Sequence, residues 1–134
     1  MKKPANSFKE WLTWTLRKAS YRWPPRQQAL RSAQVTVEAH IRNPGETVTG
    51  RVRNFYRCRI CKLVFSRKGV SIDHIEPVVD PERGWQGWDE YLKRMFCPKE
   101  GFQIICQKDH DKKTLKETRV RVIAKRVRAV RAKG

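Results

Sequence analysis

Acidic residues are scarce in this chain: 13 Asp and Glu stand against 31 Lys and Arg, for a net charge of +18 over 134 residues. So few carboxylates leave a strongly basic surface, and such a surface calls for a polyanionic partner, because binding one releases condensed counterions. Apolar runs long enough to cross a bilayer are missing, which excludes a membrane span. No apolar signal segment follows Met1-Lys2-Lys3-Pro4-Ala5-Asn6. The expected compartment is therefore the cytoplasm, where thiols stay reduced. Cysteine (4) and histidine (3) are few, and apolar content is only 39%. A core that modest often needs a staple such as a structural metal.

What is present is concentrated. Cys58-Arg59-Ile60-Cys61, Ser71-Ile72-Asp73-His74-Ile75 and Cys106-Gln107-Lys108-Asp109-His110 hold three of the four cysteines and two of the three histidines. A CxxC turn brings two sulfurs close enough for one metal ion. Cys106 begins a second pair, but its i+3 partner is Asp109. Asp109 can complete a tetrahedral zinc site through oxygen, and Cys97 is the alternative if its loop folds back. Without a metal, the same cysteines are buried apolar thiols.

Asp73-His74 is a different kind of pair. On a strand, neighbouring side chains face opposite ways, so the two residues are free to take different tasks. A carboxylate suits a metal ion that neutralises phosphate charge. An imidazole with a pKa near 6.5 suits activation of water. His110 adds a second ligand for the same cation.

Charge divides the chain in three. Residues 1–57 carry 12 basic and 3 acidic residues, residues 58–111 carry 9 of each, and residues 112–134 carry 10 and 1. Two basic flanks thus enclose a neutral, motif-bearing middle, a layout that favours a grip on nucleic-acid backbone. The divisions expected are a basic helical arm over 1–54, a core over 55–116 and a basic helical extension over 117–134. Candidate phosphate contacts are Arg22, Arg26, Lys112, Lys113, Arg119 and Arg126.

Ser7 with Glu10 forms a capping-box pattern, and Phe8, Trp11, Leu12, Thr15 and Leu16 recur at helical spacing, predicting a helix to about Ser20. A second helix is expected from about Pro25 to Ala33. Between them, Tyr21 and Trp23 either stack on bases beside the arginines or pack the arm onto the core. Residues 35–57 read as strand or irregular, with a turn at Asn43-Pro44-Gly45. Strands are expected on both sides of the CxxC turn, over 69–75 and over 102–106. A loop over 76–100 holds a short helix, about Gly87 to Phe96, that buries Trp88, Leu92 and Phe96. From His110 the pattern is helical, with a narrow stripe of Leu115, Val120, Ile123, Val127 and Val130. Composition suggests that 125–134 orders on binding.

Over Tyr56 to Lys116 these motifs resemble the HNH endonucleases, which carry a ββα-metal active site. The resemblance rests on Cys58-x-x-Cys61, on Asp73-His74-Ile75-Glu76-Pro77, and on Gln103-Ile104-Ile105-Cys106 leading to His110-Asp111-Lys112-Lys113-Thr114. Ala19-Ser20-Tyr21-Arg22-Trp23-Pro24-Pro25 looks like the lead-in of small phage-encoded members. The resemblance implies an α+β fold with a zinc knuckle, and hydrolysis of double-stranded DNA by a free-standing phage homing or nicking enzyme in the host cytoplasm. It makes His74 the general base. Asp73 and His110 become ligands of a catalytic Mg²⁺, Mn²⁺ or Ni²⁺, and Cys58, Cys61 and Cys106 become ligands of a structural Zn²⁺. It also places Lys113 against the DNA backbone. Two positions depart from the pattern. Gly101 stands where the family has an asparagine that orients the base, and Asp109 stands where it has a fourth cysteine. Both departures keep open an alternative, a relative that binds DNA or RNA without cleaving it.

Overall fold

The computed structural model describes residues 7–37 and 53–133. The chain is a mixed α+β protein. Helices α1 (Phe8–Ser20) and α2 (Pro24–Ser32) lead into strand β1 (Gln34–Val37). Strands β2 (Arg53–Arg57), β3 (Val64–Phe65) and β4 (Val70–His74) follow, then α3 (Trp88–Met95), β5 (Phe102–Cys106) and α4 (Gln107–Lys133). Strands β1, β2 and β3 form one antiparallel sheet in that order, and β4 pairs antiparallel with β5 in a second. The expected turn at Asn43-Pro44-Gly45 lies outside the described residues.

The β4–β5 pair positions everything that follows. Its two faces are set by the period of two along a strand. Val70 and Ile72 join Phe102 and Ile104 in a core with Ala29 and Leu30 of α2. Ser71 and Asp73 meet α4 instead, through Gln107, His110 and Lys113. The register pairs Asp73 with Gln103 and His74 with Phe102. A second small cluster forms where β5 ends, from Cys58, Ile105 and Cys106 with Phe65 against it.

Ser7 caps α1 as expected, its hydroxyl accepting from the Glu10 amide at 3.2 Å. Trp23 packs onto the core: its indole donates to the Cys97 carbonyl at 2.7 Å and its ring meets Phe96 edge-on. Tyr21 is left exposed, with the Arg26 guanidinium 4.7 Å from its ring centre.

Two expectations are corrected. Helix α3 buries Tyr91 and Met95, while Leu92 is exposed and Trp88 and Phe96 are only half-buried. The cause is an aromatic cluster in which Trp85, Trp88 and Tyr91 pack ring on ring and turn the helix by about one position. Helix α4 is also continuous through residues 125–133, where composition suggests order only on binding. The Arg128 guanidinium ties it back by donating to the Glu82 carbonyl at 2.7 Å. Of the expected apolar stripe on α4, only Val120 is partly covered, whereas Leu115, Ile123, Val127 and Val130 are exposed. No helix among the described residues is long and apolar enough to cross a membrane.

Candidate functional site

Two groups of side chains of metal-ligating type share the start of α4. The first joins Cys58, Cys61, Cys106 and Asp109, whose ligand atoms all lie within 4.8 Å of one another. The turn after β2 builds half of it. Cys58 N–H donates to the Leu63 carbonyl at 2.9 Å and Lys62 N–H to the Cys58 carbonyl at 3.0 Å. Lys62 closes that turn at φ 67°, the left-handed region that glycine adopts most readily. The end of β5 supplies Cys106, and the first turn of α4 supplies Asp109.

One Asp109 oxygen, Oδ2, lies 3.2 Å from both the Cys58 and Cys106 sulfurs, and the Cys61 and Cys106 sulfurs are 3.9 Å apart. Around a tetrahedral zinc with Zn–S bonds of about 2.3 Å, sulfurs sit roughly 3.7 Å apart. These three separations are close to those of a metal site, all four donors lie within 4.8 Å of one another, and thiolates with one carboxylate suit zinc. Cys97 is not part of this group; it packs beside the α2 core. Of the two candidates for fourth ligand, it is Asp109 that the fold brings to the sulfurs.

The protonation pattern fits a ligand set. Burial raises the Cys58 thiol, but amide donors from Cys106, Cys61 and Ile60 outweigh it and hold the group below its usual range. The Cys106 amide donates to the Cys58 sulfur at 3.3 Å. Burial pushes Cys106 up to about 12, and it raises Cys61 as well. Hydrogen bonds from the Cys106 and Cys58 thiols keep the Asp109 carboxyl low. The surroundings of Cys58 favour its thiolate, and a bound cation would favour the thiolate at the other two sulfurs.

The second cluster lies on the neighbouring face. Asp73 Oδ1 is 3.9 Å from His110 Nε2. Two ligands of one ion at bonds of about 2.0–2.2 Å sit roughly 3.0–3.5 Å apart, so the pair needs only a small closure. The other His110 nitrogen, Nδ1, is buried with no hydrogen-bond partner. The nearest carboxylate to that nitrogen is Asp111, whose Oδ1 stands 4.0 Å away, beyond hydrogen-bond reach. Gln103 fixes the Asp73 carboxylate by donating to Oδ2 at 2.9 Å, while Arg59 donates to the Gln103 oxygen at 3.3 Å.

His74 follows Asp73 on β4 and turns to the opposite face. Its Nε2 lies 3.0 Å from the Met95 carbonyl and its ring rests 4.8 Å from that of Phe102. A carbonyl only accepts, so Nε2 carries the proton and Nδ1 keeps its lone pair. Met95 ends α3, where backbone carbonyls have no partner within the helix and carry the negative end of its dipole. Burial lowers the His74 pKa from its ordinary value, and the Met95 contact opposes without overcoming that.

Lys113, a candidate phosphate contact, makes three contacts within the fold. Its ammonium sits 3.0 Å from Asp73 Oδ2, bonds Glu117, and donates to the His74 carbonyl at 3.0 Å. Burial alone would lower its pKa; Glu117 and Asp73 outweigh that and raise it. The amine is therefore an internal brace between β4 and α4. Lys112, Arg119 and Arg126 are exposed on α4 at seven-residue spacing, which lines them along one side of the helix. Arg22 is exposed just beyond α1.

His74 and His110 both line a cleft of about 460 Å³ that is also walled by Arg17, Tyr21, Arg26 and Arg67. Sequence reasoning does not find Arg17 or Arg67, because nothing in their spacing ties them to the motif. Gly101 has a plain structural reason: a Cβ there would stand 2.5 Å from the Cys97 sulfur. Comparisons of the chain with family models, with curated proteins and with solved structures find no match.

Proposed function

We propose that this protein is a divalent-cation-dependent endonuclease of the HNH kind, hydrolysing phosphodiester bonds of double-stranded DNA. In this reading β4, β5 and α4 form the ββα-metal core, and Cys58, Cys61, Cys106 and Asp109 staple it around a structural zinc. The supporting observation is that Asp73 and His110 meet at 3.9 Å while His74, next along β4, is fixed in one tautomer by the Met95 carbonyl.

Asp73 and His110 would hold Mg²⁺ or Mn²⁺, which would neutralise charge on the phosphate and on the departing 3′ oxygen. The chain's own residues carry the proton. His74 accepts it from water at Nδ1, because Nε2–H is committed to Met95. The imidazolium that results sits at the C-terminal end of α3, where the helix dipole favours positive charge. Phe102 shields one side of the ring, and the lowered pKa keeps His74 neutral and ready at pH 7. Lys113 restrains the His74 carbonyl, a restraint that fits the work expected of an asparagine at position 101, where there is no room for a side chain. Lys112, Arg119 and Arg126 supply a phosphate-binding stripe along α4.

One observation favours a second reading, a DNA- or RNA-binding relative that does not cleave. The Lys113 ammonium already neutralises the carboxylate that a catalytic cation would need. Incubation of supercoiled plasmid and of RNA with Mg²⁺ or Mn²⁺ separates the two. The nuclease reading expects plasmid nicking that is abolished by EDTA and by His74→Ala. Binding without cleavage under any divalent ion would establish the second reading.

A further inference from the structure

The cleft beside His74 is lined by arginines from three separate parts of the chain: Arg17 on α1, Arg26 on α2 and Arg67 just before β4. Arg26 and Arg67 have no carboxylate partner among the described residues. Arg67 is held in place by donating to the Val70 carbonyl at 3.1 Å. Arg26 is partly withdrawn from water and lies over the Tyr21 ring. Burial lowers its pKa, Tyr21 opposes this, and Arg67 adds to the lowering. A guanidinium does not give up its proton in a protein, so the cost of this crowding stays as uncompensated positive charge. Arg26 is half-buried while Arg17 and Arg67 are exposed, so the cleft gathers three positive charges around an opening that an anion can reach.

We propose that this cleft is a seat for a single backbone phosphate, gripped by Arg26 and Arg67 with Arg17 at its rim, and that Tyr21 positions Arg26 by stacking. The planar fork of arginine matches phosphate oxygens two at a time, which gives register as well as charge. The N-terminal arm is then a wall of the active centre. It sets which phosphodiester lies against His74 and His110. The assignment of this phosphate to a nucleic-acid strand rests on the nuclease reading; the anion seat itself does not.

Fluorescence anisotropy of a short labelled DNA duplex, without added Mg²⁺ or Mn²⁺ and at several salt concentrations, tests this without any cleavage. The variants are Arg26→Ala, Arg67→Ala, the two together and Arg26→Lys, with exposed Lys99→Ala as the comparison and circular dichroism to verify folding. Each phosphate neutralised contributes about 0.9 to the slope of log K against log salt. The double variant is expected to lose about ten- to a hundredfold in affinity and to lower the slope by about one rather than two. Arg26→Lys should recover part of the affinity. Inorganic phosphate should shift the His74 and His110 ring resonances in the wild type and leave them unmoved in the double variant. A double variant that is folded and binds DNA with wild-type affinity and slope would overturn the proposal, whatever the wild type cleaves. A wild type that cleaves nothing, beside a double variant that binds weakly, would leave the seat standing and remove the nuclease reading.

Discussion

Position 101 is where the structure makes its sharpest quantitative demand. Adding a Cβ to Gly101 places it 2.5 Å from the Cys97 sulfur and 3.0 Å from the Cys97 Cβ. Comfortable contact between such atoms begins at about 3.5 Å, so the overlap is roughly an ångström. The Cys97 backbone is held, because its carbonyl accepts from Trp23 and the residue packs against the α2 core, so the 3.0 Å approach to its Cβ persists whichever way the sulfur turns. The backbone cannot give freely either, since the Gly101 carbonyl accepts from the Ile75 amide at 2.9 Å and so ties the end of β4 to the start of β5. Gly101→Ala should therefore destabilise the fold by about 1–3 kcal/mol, the range for overpacking a filled site. Gly101→Asn, which restores the residue expected from the resemblance, should cost at least as much and should not increase cleavage. Urea unfolding measures both. A double-mutant cycle with Cys97→Ala removes the 2.5 Å contact and keeps the 3.0 Å one, so roughly 1 kcal/mol or more should be recovered. A cost below about 0.5 kcal/mol, or the same cost with and without the Cys97 sulfur, would refute the argument.

Four further outcomes are expected. Zinc analysis should find about one tightly held ion per chain, lost with much of the thermal stability in Cys58→Ser, because metal binding and folding are coupled by roughly 10 kcal/mol; Asp109→Cys should hold zinc more tightly. Lys113→Ala should lower stability by about 1–2 kcal/mol, because it strips a half-buried brace from Asp73 and the His74 carbonyl, with solvent screening keeping the loss below that of a fully buried pair. Cleavage should rise with pH through the His74 titration and level off. Burial favours neutral imidazole, so that limb lies below pH 6.5, and a limb above 7 would contradict the assigned cause. The same lowered pKa means that the unfolded chain binds the extra proton first, so His74's contribution to stability is complete above pH 6.5 and falls as the pH drops below it.

Much of the centre is legible in the sequence, because its groups sit in short motifs whose geometry is local. CxxC is a turn, Asp73-His74 is a strand dipeptide with opposed faces, and Cys106 through His110 is a strand end running into the first turn of a helix. What is not legible depends on register and on distant packing. That Gln103 holds Asp73 follows from the pairing of β4 with β5, which spacing alone does not give. Lys113 reads as a phosphate contact in sequence, and only the approach of α4 to β4 shows its bonds to Asp73 and the His74 carbonyl. Arg67 comes near Arg26 because α2 and the turn before β4 converge, although 41 residues separate them in sequence. The misread face of α3 has the same origin, since a cluster of aromatic rings rather than helical periodicity sets its rotation.

Anomalous diffraction from crystals soaked in Mn²⁺ tests most directly that Asp73 and His110 hold the cation the chemistry needs. One manganese peak between Asp73 Oδ1 and His110 Nε2, separate from a zinc peak among Cys58, Cys61, Cys106 and Asp109, is the predicted result. Manganese absent from that position, with Lys113 still seated on Asp73, would contradict it.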